Sequence, residues 1–146
     1  MAEEQQQQEI EQPNEPMMKE PELDWYLQSL VNMANTTGLS MGITIVLGGT
    51  VVSGTLIGGK TYFDTFAQNF VDAWPDLAQE SRDPLRETLA KPGEHYGNGY
   101  DEAGTSFIHL KDATIRTPSG YMPTSTGLLW RGRLSEVSGF SLGSFS

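Results

Sequence analysis

Residues 41–57 constrain the fold more than any other part of the chain. Met41, Ile43, Ile45 and Leu47 alternate with Ser40, Gly42, Thr44 and Val46, the two-residue period of a strand buried on one face. Gly48-Gly49 follows, and glycine accepts the positive φ that a tight hairpin turn demands. Val51 to Ile57 then reads as the antiparallel return strand, with Gly54 marking a sharp bend or a close backbone approach.

The segments around this hairpin alternate between helical and strand patterns. Pro21-Glu22 opens a helix through about Asn35, with Leu23, Leu27, Leu30, Val31 and Ala34 on one face and Gly38 just past its end. This helix is expected to lie over an open edge or end of the sheet. After Gly58-Gly59-Lys60, Thr61 and Asp64 resemble a capping box. The helix that follows would bury Phe63, Phe66, Ala67, Phe70, Val71, Trp74 and Leu77, and Pro75 would end it. Asp83-Pro84 reads as N-cap and first residue of a short helix to about Ala90. Residues 91–104 form a Gly- and Asp-bearing loop, and a third strand spans about Ser106 to Arg116. A second loop covers Thr117 to Gly127, and closing strands occupy Leu128–Leu134 and Val137–Ser144, with glycines inside both.

The fold class expected is therefore α+β: a small, strongly bent antiparallel sheet or barrel with an N-terminal helix and a helical insert between strands 2 and 3. In outline it is loosely similar to the Sm-like fold, on Val51-Val-Ser-Gly-Thr-Leu and Ile108-His-Leu-Lys-Asp-Ala. A chain of 146 residues suits one domain, here 22–146. It is preceded by an acidic tail, 1–21, too rich in Glu, Gln and Pro to offset the entropy of ordering.

Charge and composition narrow the function. Net charge is −10; residues 1–22 hold seven acids against Lys19, and the remainder twelve acids against eight bases. Neither part is basic, which argues against nucleic-acid binding, since such proteins must displace counterions from phosphates. Without cysteine there is no disulfide, no thiolate metal site and no thiol nucleophile. The first residues lack a basic and an apolar stretch, so no signal peptide is expected. The apolar run from Ile43 is far shorter than the ~20 residues of a spanning helix. A cytoplasmic protein with no membrane partner is expected.

Four places carry residues that could support chemistry. Gly54-Thr-Leu-Ile-Gly-Gly-Lys-Thr61 matches the phosphate-loop string formally, but it follows an antiparallel hairpin arm, so a turn plus helix cap is the expected use. His95 and His109 lie fourteen residues apart with no carboxylate cluster beside both; His109 is expected to be a strand residue with its ring hydrogen-bonded at the sheet face. Ser138 lacks the glycine pattern of a nucleophile elbow, and Asp101-Glu102 reads as a solvated loop pair. Catalytic, cofactor and metal sites are thus expected to be absent, and the chain is not expected to be an enzyme.

Contact surfaces remain. Arg131 and Arg133 flank Gly132 on one strand face, opposite Trp130, Gly132 and Leu134. They are solvated with a cross-strand partner such as Glu136, or they anchor an acidic segment such as the tail of this chain or of a neighbouring copy. Phe63, Phe66, Phe70 and Trp74 form an aromatic helix stripe, expected as core or else as a partner groove. The candidate interaction residues are Trp130, Arg131, Arg133 and Trp74.

Three segments carry a family likeness. Ser53–Asp64 and Leu129–Gly143 are dense in glycine, β-branched and aromatic residues, and Phe107–Ala113 lies between them. Together they resemble the gas vesicle accessory protein family called GvpU over roughly Leu27 to Phe145. The resemblance implies a non-enzymatic, self-associating protein that binds gas vesicle shell proteins and helps vesicle assembly or clustering, without a cofactor. The alternative is a ring-forming Sm-like RNA binder, which would need a basic, aromatic-lined pore.

Overall fold

The computed structural model describes residues 23–96, 105–123 and 126–145. The acidic tail 1–21, the Pro21-Glu22 helix start and the Asp101-Glu102 pair lie outside the described residues. Strands β1 (Met41–Leu47) and β2 (Thr50–Ile57) pair antiparallel from Met41↔Leu56 to Leu47↔Thr50, with Gly48 at φ 58° in the turn. The alternation therefore reads correctly.

Strand β3 (Phe107–Thr117) joins the far side of β2. Its outer edge is shared by two strands in succession. β5 (Leu128–Arg133) takes Phe107 to Ala113, and β4 (Gly120–Met122) takes Ile115 to Thr117. β4 falls within the loop expected over 117–127; the Pro118-Ser119 turn folds it back as a three-residue strand. β6 (Gly139–Leu142) pairs with β1 at the opposite end, giving the order β4-β3-β2-β1-β6 with β5 beside β3. All ladders are antiparallel, and the sheet stays open rather than closing into a barrel.

The short β5–β6 link requires a strong curl. β5 and β6 are four strand spacings apart, about 19 Å if the sheet were flat. The connection from Arg133 to Gly139 contains a 3-10 turn, Leu134–Glu136, in which each residue advances only about 2 Å. The link falls short of the flat distance, so the sheet must bend. The bend sits where the β2–β3 and β3–β5 ladders both slip register, at Ser53/Thr55 and Leu110/Ala113. Asp112 between them has φ 52°, and a Cβ on Gly54 would lie 2.9 Å from Lys111 O. Gly54 thus allows the close backbone approach its position suggested.

Helix α1 (Trp25–Thr37) starts at its cap, Asp24, whose carboxylate accepts from the Tyr26 and Leu27 amides. It ends as expected with Gly38 in the left-handed region at φ 75°. It covers a face of the sheet, not an edge. Leu27, Val31 and Ala34 join Ile43, Ile45, Val52, Leu56, Ile108, Leu110, Ala113 and Leu134 in one buried cluster. A curled sheet with one apolar concave side needs this cover.

The helical insert departs from the sequence reading in detail. Helix α2 (Gly59–Asp72) begins two residues before Thr61 and has no side-chain cap of its own. Instead, Asn35 on α1 caps it from across the core, its buried Oδ1 accepting from the Gly59 amide at 2.8 Å. Helix α3 (Gln79–Ala90) begins before Asp83, so Pro84 lies inside it and removes one helical hydrogen bond. Asp83 pairs with Arg86 rather than capping. A 3-10 turn, Lys91–His95, then leads to Tyr96.

Gly132 is a point of close packing. A Cβ there would run into the Trp130 indole, which folds over it on the α1 side of the sheet. Gly132→Val is expected to cost on the order of 1–3 kcal/mol by overpacking, read as a lower urea midpoint with an unchanged slope. Unaltered stability would mean the indole is free to leave.

Candidate functional site

Two surfaces arise where α2 meets the sheet. The first is an aromatic box around His109. His109 is the cross-strand partner of Arg131 and is fully buried. Tyr62 from the first turn of α2 lies 4.8 Å from its ring and Tyr96 stands edge-on at 5.3 Å. Both ring nitrogens are buried without a hydrogen-bond partner, so the expected hydrogen-bonded histidine is not found. Burial, helped by the Arg131 charge, pushes its pKa down to about 3, so the ring is neutral at pH 7. Burial also raises the Tyr62 hydroxyl above its usual value, against the pull of Arg131.

Arg131 itself lies over aromatic rings. Its guanidinium carbon is 3.6 Å from the centroid of Phe107 and 5.4 Å from that of Phe63, a cation–π arrangement. Beside it opens a cavity of about 300 Å³ lined by Phe63, Tyr96, Ser106, Phe107 and Arg131 among others. Among the described residues the ion pairs are Lys60–Asp64 and Arg86–Asp83, so Glu136 is not the partner of either arginine. Arg133 points from the same strand face and is exposed.

The second surface is a ridge on α2. Tyr62, Phe66 and Phe70 follow one another at four-residue steps, so they align along one side of the helix, and Trp74 follows just past its end. Tyr62 is buried against His109. Beyond it the row emerges: Phe66, Phe70 and Trp74 are 40%, 43% and 48% exposed. Tyr62 stacks on Phe66 at 6.1 Å and Phe66 meets Phe70 at 6.3 Å. The expectation that Phe66, Phe70 and Trp74 form core is overturned. The buried strip of α2 is Gly59, Tyr62, Ala67 and Val71, where small residues let the helix approach its neighbours.

The four candidate contact residues are therefore not one site. Trp130 packs against the core cluster on the α1 side, Arg131 and Arg133 face the α2 side, and Trp74 lies past the far end of α2. Phe63 lies in the second turn of α2, whereas Trp74 lies two residues past its last residue, Asp72. Sequence reasoning missed the His109 box, whose only local signal was a histidine inside Phe107-Ile-His-Leu.

The phosphate-loop string does not form a phosphate cradle. Gly54–Ile57 is the second arm of the antiparallel hairpin, and the Gly59 amide is occupied by Asn35. Lys60 pairs with Asp64 at 2.9 Å on the surface. Among the described residues no group of three or more His, Asp or Glu could hold a metal ion, and no helix is long and apolar enough to cross a membrane.

The family model described as gas vesicle protein GvpU-like matches residues 24–145. No curated protein and no solved structure matches the chain. The match takes in α1, the whole sheet, the His109 box and the α2 ridge, and agrees with the resemblance carried by segments 53–64, 107–113 and 129–143. This chain belongs to the gas vesicle protein GvpU-like family.

Proposed function

We propose that this chain is a non-enzymatic gas vesicle accessory protein of the cytoplasm, and that it docks on the vesicle shell through the aromatic ridge of α2. The observation that carries this reading is the exposed, adjoining pair Phe66 and Phe70, with exposed Trp74 just past the end of the helix, on a chain of net charge −10. A contiguous apolar patch on a charged protein is an interaction surface, and aromatic side chains are the residues that most often dominate such contacts. Docking alone assists shell assembly. Clustering requires one particle to hold two vesicles, so it needs self-association that presents two ridges at once.

Flotation tests this. The protein is mixed with purified intact gas vesicles and the buoyant layer is collected by slow centrifugation. Enrichment in that layer over a buffer control, at low and moderate salt, is the expected result. Protein that stays in the lower phase at every salt concentration would remove the proposal.

A further inference from the structure

We infer that the cavity beside Arg131 is a carboxylate site and that its occupant is the glutamate-rich front of the same chain, residues 3–22. This goes beyond vesicle docking and succeeds or fails independently of it.

The site has donors in need of an acceptor. The guanidinium carbon of Arg131 lies over the rings of Phe107 and Phe63, and its Nε is buried without a hydrogen-bond partner. Buried polar groups are nearly always partnered, and a guanidinium offers a planar fork that suits a carboxylate. The aromatic lining of Phe63, Tyr96 and Phe107 lowers the local polarity around the guanidinium, which strengthens a charge-assisted bond. Among the described residues no carboxylate is paired with Arg131.

The chain supplies the acceptor and brings it close. Residues 1–22 carry seven glutamates against one lysine. The described chain begins at Leu23, just ahead of α1, and α1 is tied to one wall of the cavity: Gln28 donates through Nε2 to Thr105 O at 2.8 Å, and the next residue, Ser106, lines the cavity. Thr105 is fixed there, since its hydroxyl also donates to Asn32 of α1. Leu23 is five residues before Gln28, about 7.5 Å of helical rise. Glu22, Glu20 and Glu15 come next, and seven extended residues reach up to about 25 Å. Contact within one molecule is therefore favoured by effective concentration over contact between copies.

The absence of cysteine makes the test clean. A nitroxide is attached to the full chain at Asn14→Cys, and broadening of amide signals is followed by NMR. His95, Phe107 and Arg131 are expected to broaden, and to recover both in Arg131→Gln and in the combined change Glu15→Gln, Glu20→Gln and Glu22→Gln. The second variant changes only residues ahead of Leu23, so it decides the matter if Arg131→Gln misfolds. Recovery is also expected at about 1 M salt, where screening acts over about 3 Å. Absence of broadening at these residues, or broadening that the glutamine changes leave intact, would overturn the inference. So would broadening that arises only when nitroxide-bearing protein is mixed with an isotope-labelled, nitroxide-free copy, because the front would then bind a neighbour.

Discussion

Replacing His109 with leucine is expected to flatten the acid limb of the stability curve. In the folded protein His109 holds a proton only near pH 3, whereas an unfolded chain binds one near pH 6.5. Between these values the unfolded state binds more protons than the folded state, so stability falls as pH falls. The slope from this one group approaches 1.4 kcal/mol per pH unit, and it vanishes above pH 6.5. Over the window the loss reaches several kcal/mol, a large part of the 5–15 kcal/mol of a typical domain. Leucine cannot take up the proton, and it also removes buried ring nitrogens that lack partners, each of which costs about 1–3 kcal/mol. His109→Leu is thus expected to match or exceed the parent at pH 7. Urea midpoints at pH 7 and pH 4.5 check this: the gap between variant and parent must widen toward acid. A constant gap would mean that His109 is not the buried neutral group described.

The second large effect concerns binding rather than folding. Phe70→Ser and Trp74→Ser each remove an aromatic contact from the ridge. At a docking surface such truncations cost about 2 kcal/mol, about 30-fold in affinity. Both side chains are more than two-fifths exposed in the free protein, so removing them leaves the core intact, and the thermal midpoint should move little. Measured as vesicle-bound fraction against protein concentration, the binding curve is expected to shift by at least an order of magnitude while the melting curve stays in place. Equal binding by parent and variants would move the docking surface elsewhere.

Much of the fold was legible because the hairpin speaks in local terms. Alternation in 41–47, a glycine pair at the turn and a mid-strand Gly54 determine pairing, register and bend with near neighbours alone. The helical insert was less legible because two apolar rows share α2. Positions 59, 62, 67 and 71 compete with 62, 66, 70 and 74, and the partners decide which is covered. Those partners, the 3-10 turn at Lys91–His95 and helix α3, are distant in sequence. The cap of α2 was hidden for the same reason: Asn35 acts from twenty-four residues away, while the local Thr61–Asp64 pattern suggested a start that the helix does not use. Helix α3 likewise starts ahead of Asp83-Pro84, since one missing bond at Pro84 costs less than losing a whole turn. The His109 box draws Tyr62, Tyr96 and Arg131 from three elements, and no single stretch announces it.

The central claim is that the α2 ridge touches the vesicle shell, and site-specific photocrosslinking tests it most directly. A photoreactive amino acid is placed at Trp74, and in a separate control at Ser119 in the exposed β3–β4 turn. Each protein is irradiated with purified intact vesicles. The account predicts a covalent adduct with shell protein from position 74 and none from position 119. Equal labelling from both positions, or none from position 74, would contradict it.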